Sequence, residues 1–253
     1  MKVVILAGGL GTRISEESTV KPKPLVEIGG KPIIWHIMKL YSYYGLNNFV
    51  ICCGYKGYQI KEYFINYSLH NSDITVDVKS NEVKVHRKSI DPWKITLIDT
   101  GESSLTGDRI RLIKNYVGED FCLTYGDGLA SVNIKETIKY HKKHGKMATI
   151  LAVKPTGRFG AIQIEKDTVR SFIEKPKGDG GWINGGFFVL NKRIFKYLTN
   201  SNCIWEKEPL EKISNLGQLK AFKHYGFWHA MDTLRDKVYL ESLWQSKKVP
   251  WKI

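Results

Sequence analysis

Apolar positions along the first 150 residues fall into two alternating textures. Lys2 to Leu6, Phe49 to Cys53, Ile95 to Asp99 and Phe121 to Tyr125 are short, nearly continuous apolar runs rich in β-branched and aromatic residues. Runs of that kind predict strands buried on both faces, as in a parallel sheet. Between them apolar residues recur at helical spacing. Pro32 opens a stripe of Ile33, Ile34, Ile37, Leu40 and Tyr41 that Gly45 ends, and Tyr58 to Tyr67, Thr106 to Tyr116 and Ile134 to Gly145 repeat the pattern. Strand–helix alternation of this kind predicts an α/β fold, a mainly parallel sheet with helices on both faces.

Beyond residue 147 the texture changes. Thr149 to Val153, Gly160 to Ile164, Val169 to Glu174 and Gly186 to Leu190 predict closely spaced strands separated by turn residues. Helices are expected around 192–199 and 206–216, a strand at Leu219 to Lys223, and a last helix over Thr233 to Gln245. No linker or low-complexity stretch divides the chain, so one domain over 1–253 is expected, with halves of about 1–147 and 148–253.

Composition narrows the class. A hydrophobic fraction of 42% with 12% aromatics describes a packed globular chain. No stretch approaches the ~18 apolar residues of a membrane span, and there is no signal segment, so a soluble cytoplasmic protein is expected. Among four cysteines without a C-x-x-C pair, Cys52, Cys53 and Cys122 lie in apolar runs and are expected to be buried thiols acting as small hydrophobes. Lys and Arg number 39 against 25 Asp and Glu, a net charge of +14. That excess fits nucleic acid, an anionic membrane or phosphorylated small molecules.

Candidate chemistry concentrates where strands end, since ligands of open α/β sheets sit at the strands' carboxyl ends. The first such end is Leu6-Ala7-Gly8-Gly9-Leu10-Gly11-Thr12-Arg13. Its glycines let backbone N–H groups approach a phosphate or a base edge; a tight turn would explain the glycines alone, but Thr12 and Arg13 add donors and favour phosphate binding. Lys21-Pro22-Lys23-Pro24 follows, where two prolines stiffen the loop that carries Lys23. Gly126-Asp127-Gly128 places one carboxylate at a buried strand's end, a hard-cation ligand or plain turn chemistry. Asp232, just before the last helix, is a possible second ligand or that helix's N-cap. Glu174-Lys175-Pro176 and Asn184-Gly185-Gly186 carry polar groups suited to sugar hydroxyls and a phosphate. His141 and His144 read as part of a solvated basic helix face, and His36 as a satisfied core histidine. No serine sits in a nucleophile elbow, so charge clamping without a covalent nucleophile is the expected chemistry.

These segments, in this order, resemble the sugar-phosphate nucleotidylyltransferases. Within that family, Val26 to Ile37, Ile51 to Tyr58, Asp99 to Gly107 and Met231 to Lys237 are similar to members that use CTP and glucose 1-phosphate. The stretch Val117 to Phe121 looks shorter than in such members, and His229-Ala230 departs from the usual pair.

The resemblance implies a Rossmann-like nucleotidyltransferase fold with a mixed, mostly parallel sheet and a smaller β-containing sugar-side region. It implies formation of CDP-glucose and pyrophosphate, an early step towards CDP-linked 3,6-dideoxyhexoses of O-antigen lipopolysaccharide, and a homo-oligomer, reportedly a hexamer. Leu6 to Gly11, Thr12, Ser104 and Arg109 are then expected at the nucleotide. Arg13, Lys23 and Asp127 are the catalytic expectations, Arg13 on the departing phosphates and Lys23 on the α-phosphate. Asp127 and Asp232 are expected to hold Mg²⁺, and Glu174, Lys175, Asn184, Gly185 and Gly186 the sugar phosphate. Rival readings are a thymidylyl- or uridylyltransferase, a metal-dependent glycosyltransferase (which usually needs an Asp-x-Asp pair absent at Asp127), a nucleic-acid binder without the usual motifs, and a silent nucleotide sensor. Neither nucleic acid nor membrane is an expected partner.

Overall fold

The apolar runs Lys2–Leu6 (β1), Asn48–Cys53 (β2), Lys94–Asp99 (β3) and Asp120–Tyr125 (β4) lie side by side as parallel strands in a computed structural model of the chain. Residues 1–11, 14, 20–88, 90–155, 161–165, 168–173, 181–199 and 201–252 are described by the structure. Ala148–Val153 (β5), Ile183–Asn191 (β6) and Leu219–His224 (β7) complete a seven-stranded sheet of order β7-β5-β6-β4-β1-β2-β3. Within it β6 alone is antiparallel to its neighbours, so the sheet is mixed and mostly parallel, as expected.

Both faces of β1 are buried because successive side chains alternate between two layers. Val3 and Ile5 pack with Ile33, Ile37 and Met38 of helix α1 (Ile33–Tyr43) and with Ile60 and Phe64 of α2 (Gly57–Ile65). Val4 and Leu6 pack with Ile110 of α3 (Thr106–Leu112), with Trp205, and with Ile213 of α5 (Glu208–Asn215). Each such side chain contributes about 1.5–3 kcal/mol over its exposed state. Helix α4 (Ile134–His144) and helix α6 (Leu234–Gln245) complete the set used below.

Several boundaries differ from expectation. The predicted helix Tyr58 to Tyr67 ends at Ile65, and a separate short helix covers Tyr67–His70. The predicted Thr106 to Tyr116 helix ends at Leu112, with a 3₁₀ turn over Lys114–Tyr116. Strand β6 begins at Ile183, before the glycines that mark its expected start. Gly186 (φ +76°) lies in the register shift between the pairs Ile150 with Phe188 and Ala152 with Asn184, so the glycines mark a bulge within the strand. An unanticipated antiparallel hairpin pairs Ser72–Asp77 with Glu82–Lys88, placing Ile74 opposite Val85 and Val76 opposite Val83.

His36 is buried, its Nε2 2.9 Å from the Ile28 carbonyl, as a core histidine should be. Cys52, Cys53 and Cys122 are buried free thiols; burial pushes Cys53 up to about 11 and the other two up to about 12. The histidines of α4 are a correction. Ile134, Thr137 and His141 are the helix's buried residues, whereas Lys135, Lys139, Lys142 and Lys143 are exposed. Spacings of three and four residues put His141 and His144 on the inward stripe, a pattern the surrounding lysines masked. His141 Nδ1 and His144 Nε2 each lie 2.8 Å from the Thr149 hydroxyl, and His141 Nε2 lies 3.7 Å from Asp120.

Burial lowers the pKa of His141, His144 and His36 below their ordinary 6.5. The unfolded chain then takes up protons near pH 6.5 that the native state refuses, so stability is retained above that pH and falls as pH drops through it. The melting temperature is expected to be level between pH 8 and 7 and to fall towards pH 5.5. His141→Asn should shrink that acid loss while lowering stability at pH 8. A wild-type melting temperature that stays flat to pH 5.5 contradicts this account.

Candidate active site

Register brings the site together. Leu6 pairs with Cys52 on one side and Tyr125 on the other, so β1, β2 and β4 end at one level and their loops converge. The loop Leu6 to Gly11 lines a cavity of about 490 Å³ together with Lys23, Ser104, Arg109, Asp127 and Asp232. Thr12, Arg13, Glu174 and Lys175 lie outside the described residues.

Arg109, from α3, is buried under the glycine loop. Its Nη2 donates to the carbonyls of Gly8 (2.8 Å) and Glu102 (3.2 Å). Its Nη1 donates to Thr100 Oγ1 (2.7 Å) and to the carbonyls of Gly101 (2.8 Å) and Cys53 (3.2 Å). One guanidinium thus ties together the loops that leave β1, β2 and β3. A Cβ on Gly8 would lie 2.2 Å from Nη1 and one on Gly54 2.4 Å, so these glycines make room for Arg109. Gly9 has open space at the same position, which makes it the glycine that leaves the backbone accessible to a ligand. Burial lowers the guanidinium's pKa from its ordinary value; neighbouring thiols and carboxylates oppose that shift.

Lys23 sits in a 3₁₀ turn (Lys23–Leu25) between its two prolines, closed by Leu25 N–H donating to the Pro22 carbonyl at 2.8 Å. Its Nζ lies 2.6 Å from Asp127 Oδ2 and 2.8 Å from Asp232 Oδ1. Burial disfavours the charged ammonium, but the two carboxylates outweigh it and hold the pKa above its ordinary value. Asp127 and Asp232 meet because Gly128–Ala130 pairs antiparallel with Trp228–Ala230, and the Met231 N–H donates to the Asp127 carbonyl at 2.9 Å.

The last helix is capped by Thr233, which leaves the Asp232 side chain facing the site; this replaces the expectation of an Asp232 cap. Thr233 and Asp236 form a reciprocal capping box. Asp236 Oδ2 accepts from the N–H of Asp232 (3.0 Å) and of Thr233 (2.7 Å), and Oδ1 lies 3.0 Å from His229 Nε2. The unusual His229 is therefore a support of this turn. Burial works against the Asp236 carboxylate's charge, but these partners prevail and lower its pKa.

Asn184, Gly185 and Gly186 flank the cavity through Tyr125, which lines it. Asn184 Nδ2 donates to Tyr125 Oη at 3.2 Å. The two glycines are required by packing: a Cβ on Gly186 would lie 2.6 Å from the Tyr125 ring, and one on Gly185 2.9 Å from Val153.

Among the described residues no group of three or more His, Cys, Asp or Glu side chains is arranged to hold a metal. Two carboxylates do share one cation, the Lys23 ammonium. A hard divalent ion that takes one or two carboxylates plus substrate phosphates fits that donor set.

The nucleotidyl transferase family matches residues 2–224 of the chain. The glucose-1-phosphate cytidylyltransferase of Salmonella typhi is 60% identical over 254 residues, covering 100% of this chain and 99% of that protein. HddC from Yersinia pseudotuberculosis superposes with a TM-score of 0.71 at 25% identity, over 96% of this chain and 99% of that one. A UDP-glucose pyrophosphorylase solved with UDP-glucose has the same fold, with a TM-score of 0.70 at 15% identity over 97% and 98% of the two chains.

Arg109→Met would strip hydrogen bonds from the buried carbonyls of Gly8 and Cys53, from those of Gly101 and Glu102, and from the buried Thr100 hydroxyl at once. A loss of ~2–4 kcal/mol in denaturant unfolding is expected. A variant within about 0.5 kcal/mol of wild type would show that the loops hold themselves.

Proposed function

The chain belongs to the nucleotidyl transferase family, and we propose that within it this protein joins CTP to α-D-glucose 1-phosphate, giving CDP-glucose and pyrophosphate. The observation that carries this reading is the convergence of Lys23, Asp127 and Asp232 beside the cavity whose wall is the glycine loop.

In the reaction an oxygen of the sugar phosphate attacks the α-phosphorus of CTP. A new P–O bond forms while the bond to the β-phosphate oxygen breaks, and pyrophosphate leaves with that electron pair. No covalent enzyme intermediate is needed. The difficulty is bringing two polyanions together. Among the described residues, the ionic side chains lining the cavity are Lys23 and Arg109 against Glu102, Asp127 and Asp232, two positive and three negative. Extra positive charge is therefore required, and it is assigned to Mg²⁺ held by Asp127 and Asp232, with Arg13 and Lys175. Bound there, the ion supplies charge to both substrates' phosphates.

The chain's own groups do the remainder. Backbone N–H groups of Leu6 to Gly11 hold the nucleotide, with Thr12 and Ser104 beside them, and Arg109 keeps that loop in shape. Lys23 neutralises charge building on the α-phosphate, and Arg13 the departing phosphates. Glu174, Lys175 and Asn184 to Gly186 receive the sugar phosphate.

No helix among the described residues is long and apolar enough to cross a membrane, and the reaction is assigned to the cytoplasm, where CTP is available. Assembly into a homo-oligomer is supported by exposed Ile74, Val76 and Val83 on a two-stranded hairpin, an element that is marginal when isolated. The product's proposed destination is CDP-linked dideoxyhexose synthesis for surface polysaccharide.

Pyrophosphate release measured across four nucleoside triphosphates and several sugar 1-phosphates should be fastest for CTP with glucose 1-phosphate. Preference for UTP or dTTP would overturn the base assignment. Lys23→Ala is expected to lower kcat by ~10²–10³. A kcat within about threefold of wild type would remove Lys23 from the chemistry.

A further inference from the structure

Glu206 lies between β6 and α5, outside every motif described above, yet one carboxylate there touches both walls of the cavity. Its Oε2 accepts from Thr106 Oγ1 at 2.6 Å. Thr106 is the first residue of α3 and in turn accepts from the Trp205 N–H at 2.9 Å. Its Oε1 accepts from Tyr125 Oη at 2.5 Å. Both Thr106 and Tyr125 line the cavity.

The Tyr125 hydroxyl has one proton to give, and Glu206 takes it. Its oxygen is thereby left as an acceptor, and Asn184 Nδ2 donates to it at 3.2 Å. The other end of the same amide is fixed too, because Asn184 Oδ1 accepts the Gly186 N–H at 2.8 Å. Those two bonds define which way the amide faces, and they leave its second N–H for a ligand. Gly186, where a Cβ would strike the Tyr125 ring, leaves the room that ring occupies. Burial, with Glu206 next, raises the Tyr125 pKa well above its ordinary value, so the phenol stays a donor throughout the working pH range.

We propose that Glu206 is a positioning residue for the sugar phosphate: by holding the Tyr125 hydroxyl it presents the Asn184 amide in one orientation to a sugar hydroxyl. This rests on the assignment of Asn184 to the sugar-phosphate side. Removing the Glu206 carboxylate frees the tyrosine proton to compete for the amide, and the amide loses its fixed face. The larger effect falls on the sugar phosphate, since none of the Arg109 bonds that hold the nucleotide loop involves Glu206.

Steady-state kinetics of four forms tests this, with each substrate varied at saturation of the other. Glu206→Ala and Tyr125→Phe should each raise the KM for glucose 1-phosphate about tenfold, the worth of one well-placed hydrogen bond, while the KM for CTP stays within about twofold. The double variant should be no worse than the poorer single, because both remove the same constraint. Glu206→Gln can accept from Tyr125 and donate to Thr106, so it should restore the KM to within about threefold of wild type. Equal rises in both KM values, effects that multiply in the double variant, or failure of Glu206→Gln to rescue would each overturn the proposal. Tyr125→Phe alone carries the test if Glu206→Ala does not fold. The wild-type protein separates this from the broader reading: if it releases no pyrophosphate from CTP and a sugar 1-phosphate, the functional assignment has failed before Glu206 is in question.

Discussion

Two carboxylates 105 positions apart in the chain, Asp127 and Asp232, share the single ammonium of Lys23, at 2.6 and 2.8 Å. Two like charges held on one ammonium would repel each other without it. Nearly every local feature of the site serves to bring these three groups together. Parallel register ends β1 and β4 at one level, which sets Asp127 next to the glycine loop. Proline on either side holds the turn that carries Lys23, and Pro24 packs against Gly126, whose Cβ would lie 3.2 Å from it. Pairing of Gly128–Ala130 with Trp228–Ala230 delivers the second acid, and the Thr233–Asp236 box fixes its backbone.

A second charge organises the opposite wall. Arg109 spends its donors on four backbone carbonyls and the Thr100 hydroxyl, so its structural contribution is the shape of the nucleotide loop. The division between Lys23, facing the cavity's acids, and Arg109, buried under its glycines, shows why net charge says little about a site. Of the surplus behind the +14 total, Lys135, Lys139, Lys142, Lys143, Lys247, Lys248 and Lys252 are exposed on helix faces and the terminus.

The central sheet was legible because its strands are continuous apolar runs, a pattern that only two-sided burial rewards. Lys23, Asp127 and Asp232 were legible as motif residues at strand and helix ends, although Asp232 reads equally as a cap until Thr233 is seen to take that role. Thr233-Leu234-Arg235-Asp236 carries the capping-box spacing and could have decided the matter from sequence. Other features left no local trace. Gly8 and Gly54 are glycines because an arginine from a helix 101 residues beyond Gly8 passes there, a relation that exists only after folding. Glu206 sits in an ordinary acidic stretch and acquires partners from positions 106 and 125. His141 was hidden by its lysine neighbours, whose charges drew attention to the solvent side of α4. The hairpin from Ser72 to Lys88 alternates apolar and polar residues, but its weak, one-sided pattern lies outside the strand–helix rhythm of the sheet.

The most direct test removes the ammonium and asks whether the acids accept another cation. Thermal melts of wild type and Lys23→Met, each in chelator and over a millimolar series of Mg²⁺, supply it. Without the ammonium the variant should melt below wild type in chelator, and Mg²⁺ should then raise its melting temperature by more than it raises that of wild type. A variant that melts like wild type in chelator, or that gains no more from Mg²⁺ than wild type does, would contradict a cation site built from Asp127 and Asp232 around Lys23.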